Sequence, residues 1–182
     1  MIVGSTRPGR KGLAIADAFL PILKSHAGFE TELVDLADFN LPVFDEPNHP
    51  RFKQYTKEHT KKWSAKIDDA DAFVLVLAEY NYSAPGAIKN AIDFLSQEWA
   101  HKPMAFISYG GISGGLRAVD SLLQPLRALK VVAIPEGIHL AMFGKHFTED
   151  GKFTVDEPME KSAHNVLNEL EKWGNALKGM RG

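Results

Sequence analysis

Cysteine is absent from this 182-residue chain. That excludes disulfide frameworks, thiolate zinc sites, cysteine-ligated iron–sulfur clusters and dithiol redox motifs, so any redox chemistry must be carried by a bound cofactor. Long apolar runs are missing too: none approaches the ~20 residues of a helical membrane span. The start Met1-Ile2-Val3-Gly4 lacks a signal-peptide layout, and a cytoplasmic location with no membrane partner is expected. Charge of one sign is scarce, since 21 Lys and Arg oppose 23 Asp and Glu, and the basic residues are scattered. Nucleic acid is therefore not an expected partner. The seven histidines form no His-x-His or His-Glu-x-x-His pattern, and no metal site is expected.

What is present is an ordinary globular composition, 45% hydrophobic and 24% charged, at a length that suits one domain over residues 1–182. Short apolar runs rich in β-branched and aromatic residues alternate with stretches of helical period, which is the mark of βα units around a parallel sheet. The expected strands are Met1 to Val3, Thr31 to Leu36, Ala72 to Leu77, Met104 to Ser108 and Val131 to Pro135. The first is short enough that residues upstream of Met1 are expected. The helices are read at Leu13 to His26, Phe52 to Ile67, Ala87 to Ser96, Leu116 to Leu129 and Glu157 to Leu177, with Pro21 and Pro125 expected to kink or end theirs. Leu36 to Pro50 and His139 to Phe153 read as irregular loops.

Three strand-to-helix loops hold the chemistry. Gly4-Ser5-Thr6-Arg7-Pro8-Gly9-Arg10-Lys11-Gly12 follows the first strand, where backbone N–H groups and a helix dipole can cradle a phosphate, Ser5 and Thr6 add hydroxyls, and Arg7 and Arg10 can pair with its oxygens. It is neither a Walker loop nor a Gly-x-Gly-x-x-Gly fingerprint, and taken alone it could be a plain polar turn. The second loop, Glu79 to Asp93, follows the third strand. In a doubly wound sheet of order 2-1-3-4-5 these two loops flank the topological switch point, the place for a planar phosphorylated ligand such as FMN. The third, Ser108-Tyr109-Gly110-Gly111 to Gly115, contains Gly-x-Ser-x-Gly around Ser113, which can be a hydrolase nucleophile elbow. Asp120, Asp150 or Asp156 and His139, His146 or His164 could complete its triad. Against that, Ser113 lies well past the strand end, and glycines without Cβ atoms also let Gly110 and Gly111 bring N–H groups close to a ring carbonyl.

The pieces Gly4 to Arg10, Asp35-Leu36 with Leu41-Pro42 to Asp45-Glu46-Pro47, Glu79 to Asp93, and Ser108 to Gly111 with Gly114 to Ala118 occur in the order seen in the NAD(P)H-dependent FMN reductases. The chain resembles that family, which includes flavodoxin-like quinone, azo-dye and chromate reductases. The resemblance implies an α/β fold: a single flavodoxin-like domain with a five-stranded parallel sheet of order 2-1-3-4-5 and helices on both faces. It implies FMN as cofactor and NADPH or NADH as cosubstrate, with Ser5, Arg7 and Arg10 on the phosphate. Glu79, Tyr80, Asn81 and Tyr82 then line the flavin, and Ser108, Tyr109, Gly110 and Gly111 approach its other edge. The side chains are expected to do no covalent catalysis, hydride passing to flavin N5 and electrons then to a quinone, free flavin, azo dye or metal oxyanion in ping-pong order. One departure is Ala78, where the family usually has proline before Glu-Tyr-Asn. Relatives are commonly dimers or tetramers, and the loops at Leu41 to Pro50 and His139 to Phe153 are the expected contacts for a homodimer or homotetramer. A flavodoxin-type electron carrier is the alternative reading, disfavoured by the near-neutral charge.

Overall fold

Two of the apolar runs are buried at every residue, and each becomes a central strand: β3 (Phe73–Ala78) and β4 (Pro103–Tyr109). Strands covered on both faces have no polar side to alternate, which is why they read as continuous hydrophobic stretches. In the computed structural model, which describes residues 1–181, they are joined by β1 (Ile2–Val3), β2 (Val34–Asp35) and β5 (Val132–Leu140). The five form one parallel sheet in the order β2-β1-β3-β4-β5, as expected.

The helices are α1 (Gly12–Ser25), α2 (Glu58–Asp68), α3 (Gly86–Asp93), α4 (Leu116–Ala128) and α5 (Glu157–Lys178). Alternation along β3 divides the core in two. Phe73, Leu75 and Leu77 face α2, α3 and α4 with Trp63, Ile88, Ile92, Trp99, Leu122 and Leu126, while Val74, Val76 and Ala78 face α1 and α5 with Ile15, Phe19, Val166 and Leu170. The result is a single α/β domain with helices on both faces of the sheet.

Several boundaries differ from the sequence reading, each for a physical reason. β2 pairs only at Val34 and Asp35 because a ladder is no longer than its partner, and β1 offers only Ile2 and Val3. Leu36–Phe39 turns into a 3-10 helix instead. α2 starts at Glu58 rather than Phe52, since the Glu46 carboxylate accepts from the N–H groups of Thr56 and Lys57 at 2.8 and 2.9 Å and holds that stretch out of the helix. β5 runs through Pro135 to Leu140: its register against β4 shifts between Met104 and Phe106, and an edge strand with a bulge tolerates proline. Pro21 and Pro125 do not stop their helices, which continue to Ser25 and Ala128.

At the amino edge of the sheet, the Arg181 guanidinium bonds to the His101 carbonyl at 3.1 Å, the Asp71 carbonyl at 2.9 Å and the Asp71 carboxylate at 2.5 Å. This pins the segment after α5 to the residues that lead into β3 and β4.

Candidate functional site

A parallel sheet sends every strand-to-helix loop out of the same edge, so the loops after β1, β3 and β4 emerge side by side. Backbone bonds seat them there: Gly4 N–H donates to Val76 O at 3.0 Å and Glu79 N–H to Tyr109 O at 3.1 Å. Side chains then join loop to loop. The Ser5 hydroxyl lies 2.6 Å from the Tyr80 hydroxyl, and Ser113 donates to Glu79 at 2.7 Å. The three loops singled out from sequence therefore form one continuous rim.

In the first loop, the N–H groups of Ser5, Thr6, Arg7 and Gly9 take no protein partner among the described residues. The Arg7 guanidinium is exposed and lies 5.6 Å from the Tyr80 ring centre. Ser5 is fully buried. Arg10 is already committed to Asp35 in a partly buried ion pair, so of the two arginines Arg7 is the one free of a carboxylate. Gly12 opens α1 beneath Tyr109, whose hydroxyl stands 2.8 Å from where a Cβ would be. Burial pushes the Tyr109 phenol up to about 12, so at neutral pH it is an uncharged donor.

Helix ends at this rim share a property. α1, α3 and α4 all start without a side-chain cap and without an acidic residue in the first turn. By contrast α5, which follows β5, is capped by Asp156, which accepts from Met159 N–H at 3.0 Å, and carries Glu157 and Glu160. Unsatisfied N–H groups and the positive end of the dipole favour an anion, and acidic caps would repel one. Together with the free N–H groups and Arg7, this fits the phosphate of FMN.

The second loop turns sharply at Tyr80–Ser83. Tyr80 N–H donates to Ser83 O at 2.8 Å and Ser83 N–H to Tyr80 O at 3.0 Å, with φ of 50° at Asn81 and 67° at Tyr82. Two successive positive φ values match a type I′ turn. Asparagine tolerates that region; for tyrosine it costs roughly 1–2 kcal/mol. The Tyr82 ring is 69% exposed at the rim. Glu79 is held as a carboxylate, its pKa lowered by the Ser113 hydroxyl and by Arg117, whose Nη1 is 3.1 Å away. The same guanidinium lies 4.0 Å over the Tyr82 ring.

In the third loop the glycines have different jobs. Gly115 adopts φ of 86°, and a Cβ there would meet Tyr109 N at 2.7 Å. Gly110 is buried and its N–H reaches Leu140 O at 3.4 Å, whereas Gly111 is exposed with open space around it. Gly111 is thus the better placed of the two to offer an N–H to a ring oxygen. Ser108 is fully buried under the loop and its hydroxyl donates to Gly114 O at 2.7 Å, with His139 Nδ1 also at 2.7 Å. The hydroxyl has one proton to give, so the histidine must be the donor in the second bond.

Ser113 is no nucleophile elbow. Its partner is a carboxylate, His139 is committed to Ser108, and His164 faces Glu160 on α5 at 3.9 Å, so no histidine pairs with Ser113 among the described residues. Sequence reasoning missed the groups that tie the loops down, namely Asp35 on Arg10, His139 on Ser108 and Arg117 on Glu79. Arg117 did carry a signal, since it lies in the last piece of the resemblance, one residue into α4. No group of three or more potential metal ligands occurs among the described residues.

A doubly wound sheet of order 2-1-3-4-5, with glycine-bearing loops and aromatic residues at its switch point, defines a flavodoxin-like α/β fold. Residues 1–145 match the model of the NADPH-dependent FMN reductase family, and the chain belongs to that family. Among relatives, an NAD(P)H-dependent FMN reductase of Nectria, ntnL, is 41% identical over 77% of this chain and 73% of its own length. The NAD(P)H:quinone oxidoreductase of Solanum tuberosum is 33% identical over 98% and 93% of the two chains. Of solved structures, the flavoenzyme NAD(P)H:(acceptor) oxidoreductase FerB of Paracoccus denitrificans superposes with a TM-score of 0.71 at 26% identity, covering 96% of this chain and 95% of that one. The family fixes the class: an oxidoreductase that uses FMN and a reduced nicotinamide.

Proposed function

We propose that the protein oxidises NADPH or NADH and reduces a quinone, a free flavin or an azo dye in two successive half-reactions of ping-pong order. The observation that carries this reading is the cradle after β1: four unpartnered N–H groups, the unpaired Arg7 and an uncapped, acid-free α1 N-terminus. FMN bound there would supply an N5 atom that accepts hydride from one substrate and returns electrons to another.

The chain's own residues bind, orient and polarise. Ser5, Arg7 and Arg10 hold the phosphate, with Arg10 sharing its guanidinium between that anion and Asp35. Glu79, Tyr80, Asn81 and Tyr82 form one wall of the ring site. Tyr109, Gly110 and Gly111 form the other, with Ser108 fastening that loop from beneath, and the Gly111 N–H would offer a ring oxygen the kind of donor that an oxyanion hole supplies. Side chains take no covalent part. The azo and quinone acceptors are those named for relatives, an NADPH azoreductase of a Bacillus strain at 34% identity and the potato enzyme.

The reading takes residues 1–182 as one FMN-binding domain in the cytoplasm, working as a homodimer or homotetramer. Val43, Phe44 and Met142, apolar yet exposed on the loops at Leu41 to Pro50 and His139 to Phe153, support contact between subunits there. The deciding experiment is anaerobic titration of the FMN-loaded protein with each nicotinamide, followed by a quinone. Bleaching of the yellow colour by NADPH or NADH alone, and its return on adding quinone, is expected. Bleaching only through an added reductase would establish a carrier instead.

A further inference from the structure

We infer that Arg117 is a positioning residue that holds the Glu79–Ser83 turn in its binding-ready shape. The inference rests on the proposed function for its purpose, though not for its geometry. Tyr82 sits at φ 67°, a backbone conformation that a bulky side chain does not choose, and its ring is mostly in water. Something outside the turn must offset that strain. The turn's own pair of backbone bonds, between Tyr80 and Ser83, does not touch the Tyr82 side chain.

The Arg117 guanidinium does. It lies 4.0 Å from the Tyr82 ring centre, and its Nη1 is 3.1 Å from Glu79 Oε1. One planar group therefore grips the residue that enters the turn and the residue that carries the strain. Glu79 is fixed from the other side by Ser113 at 2.7 Å, so the grip is referred to a rigid frame. Arg117 belongs to the first turn of α4, whose start is set by Gly115, and it joins the β3 loop to the β4 loop across the rim. Its side chain is 45% exposed, which places it outside the core and makes a folding role a poor explanation of the contact. A flat, delocalised cation is needed to stack and bridge at once, and lysine cannot do both.

The test uses wild type, Arg117→Met, Arg117→Lys and Tyr82→Leu, each with and without FMN. Amide hydrogen exchange at Tyr80 and Ser83 is read in the FMN-free protein, and the FMN Kd is read by flavin fluorescence. In Arg117→Met, exchange at both amides is expected to quicken by about tenfold and FMN binding to weaken by a similar factor, with the melting temperature nearly unchanged. Arg117→Lys should recover only the part due to charge. In a Tyr82→Leu background the Arg117→Met change should cost less than it does alone.

Unchanged exchange together with weakened FMN binding would overturn the inference, because Arg117 would then be touching the ligand itself. Full rescue by lysine would overturn it too. Should wild-type protein bind no FMN, the proposed function fails while the exchange measurement still decides the role of Arg117.

Discussion

Glu46 shows how one side chain can shape a whole border of the site. Burial works against its charge, but the N–H groups of Thr56 and Lys57 outweigh that cost and bring its pKa down to about 2. A carboxyl whose pKa is lower in the folded chain adds stability above its unfolded value, about 4.3, and loses it as pH falls toward the folded value. Wild type should therefore outlast Glu46→Gln in thermal melts at neutral pH, with the gap closing between about pH 4.5 and pH 2. A gap that stayed constant over that range would mean that the carboxylate's charge is not what anchors the segment. Asn90 ties the same border down near its start, its amide donating to Pro42 O at 2.6 Å and accepting from Phe44 N–H at 3.0 Å.

Among the elements, α4 and α5 both start where the sequence reading put them, at Leu116 and Glu157. In α5 the structure shows why: Asp156 is the N-cap, followed by an acidic first turn and an early proline. Asp156→Ala should lower stability by about 1 kcal/mol, seen as a fall of about 2–4 °C in Tm. β3 and β4 were equally legible, because strands buried on both faces leave unbroken apolar runs. α2 and β5 were not. The stretch that leads into α2 is held out of the helix by Glu46, ten residues back from Thr56, and β5 passes Pro135 only because it lies at an edge beside a register shift. Both depend on a tertiary partner that no local pattern displays. The site divides in the same way: its three loops stand out as motifs, whereas the bonds that fasten them, Arg10 to Asp35, Ser108 to His139 and Arg117 to Glu79, link residues distant in sequence.

For the whole molecule, the proposed function links FMN binding to folding through the rim. If FMN binds only the folded chain, a concentration roughly 100 times its Kd adds about 2.7 kcal/mol, enough to raise Tm by about 5–10 °C. Riboflavin, which lacks the phosphate, should raise it far less, because the cradle after β1 would have nothing to hold. Equal shifts from the two ligands, in differential scanning fluorimetry at matched concentration, would sink the phosphate assignment. The Arg181 clamp lies at the amino edge of the sheet, across the molecule from that rim. A linker attached at Arg181 would leave on the side away from the proposed FMN cradle, so under the proposed function a protein tethered there to an electrode would turn its electron-exchanging face toward the solution.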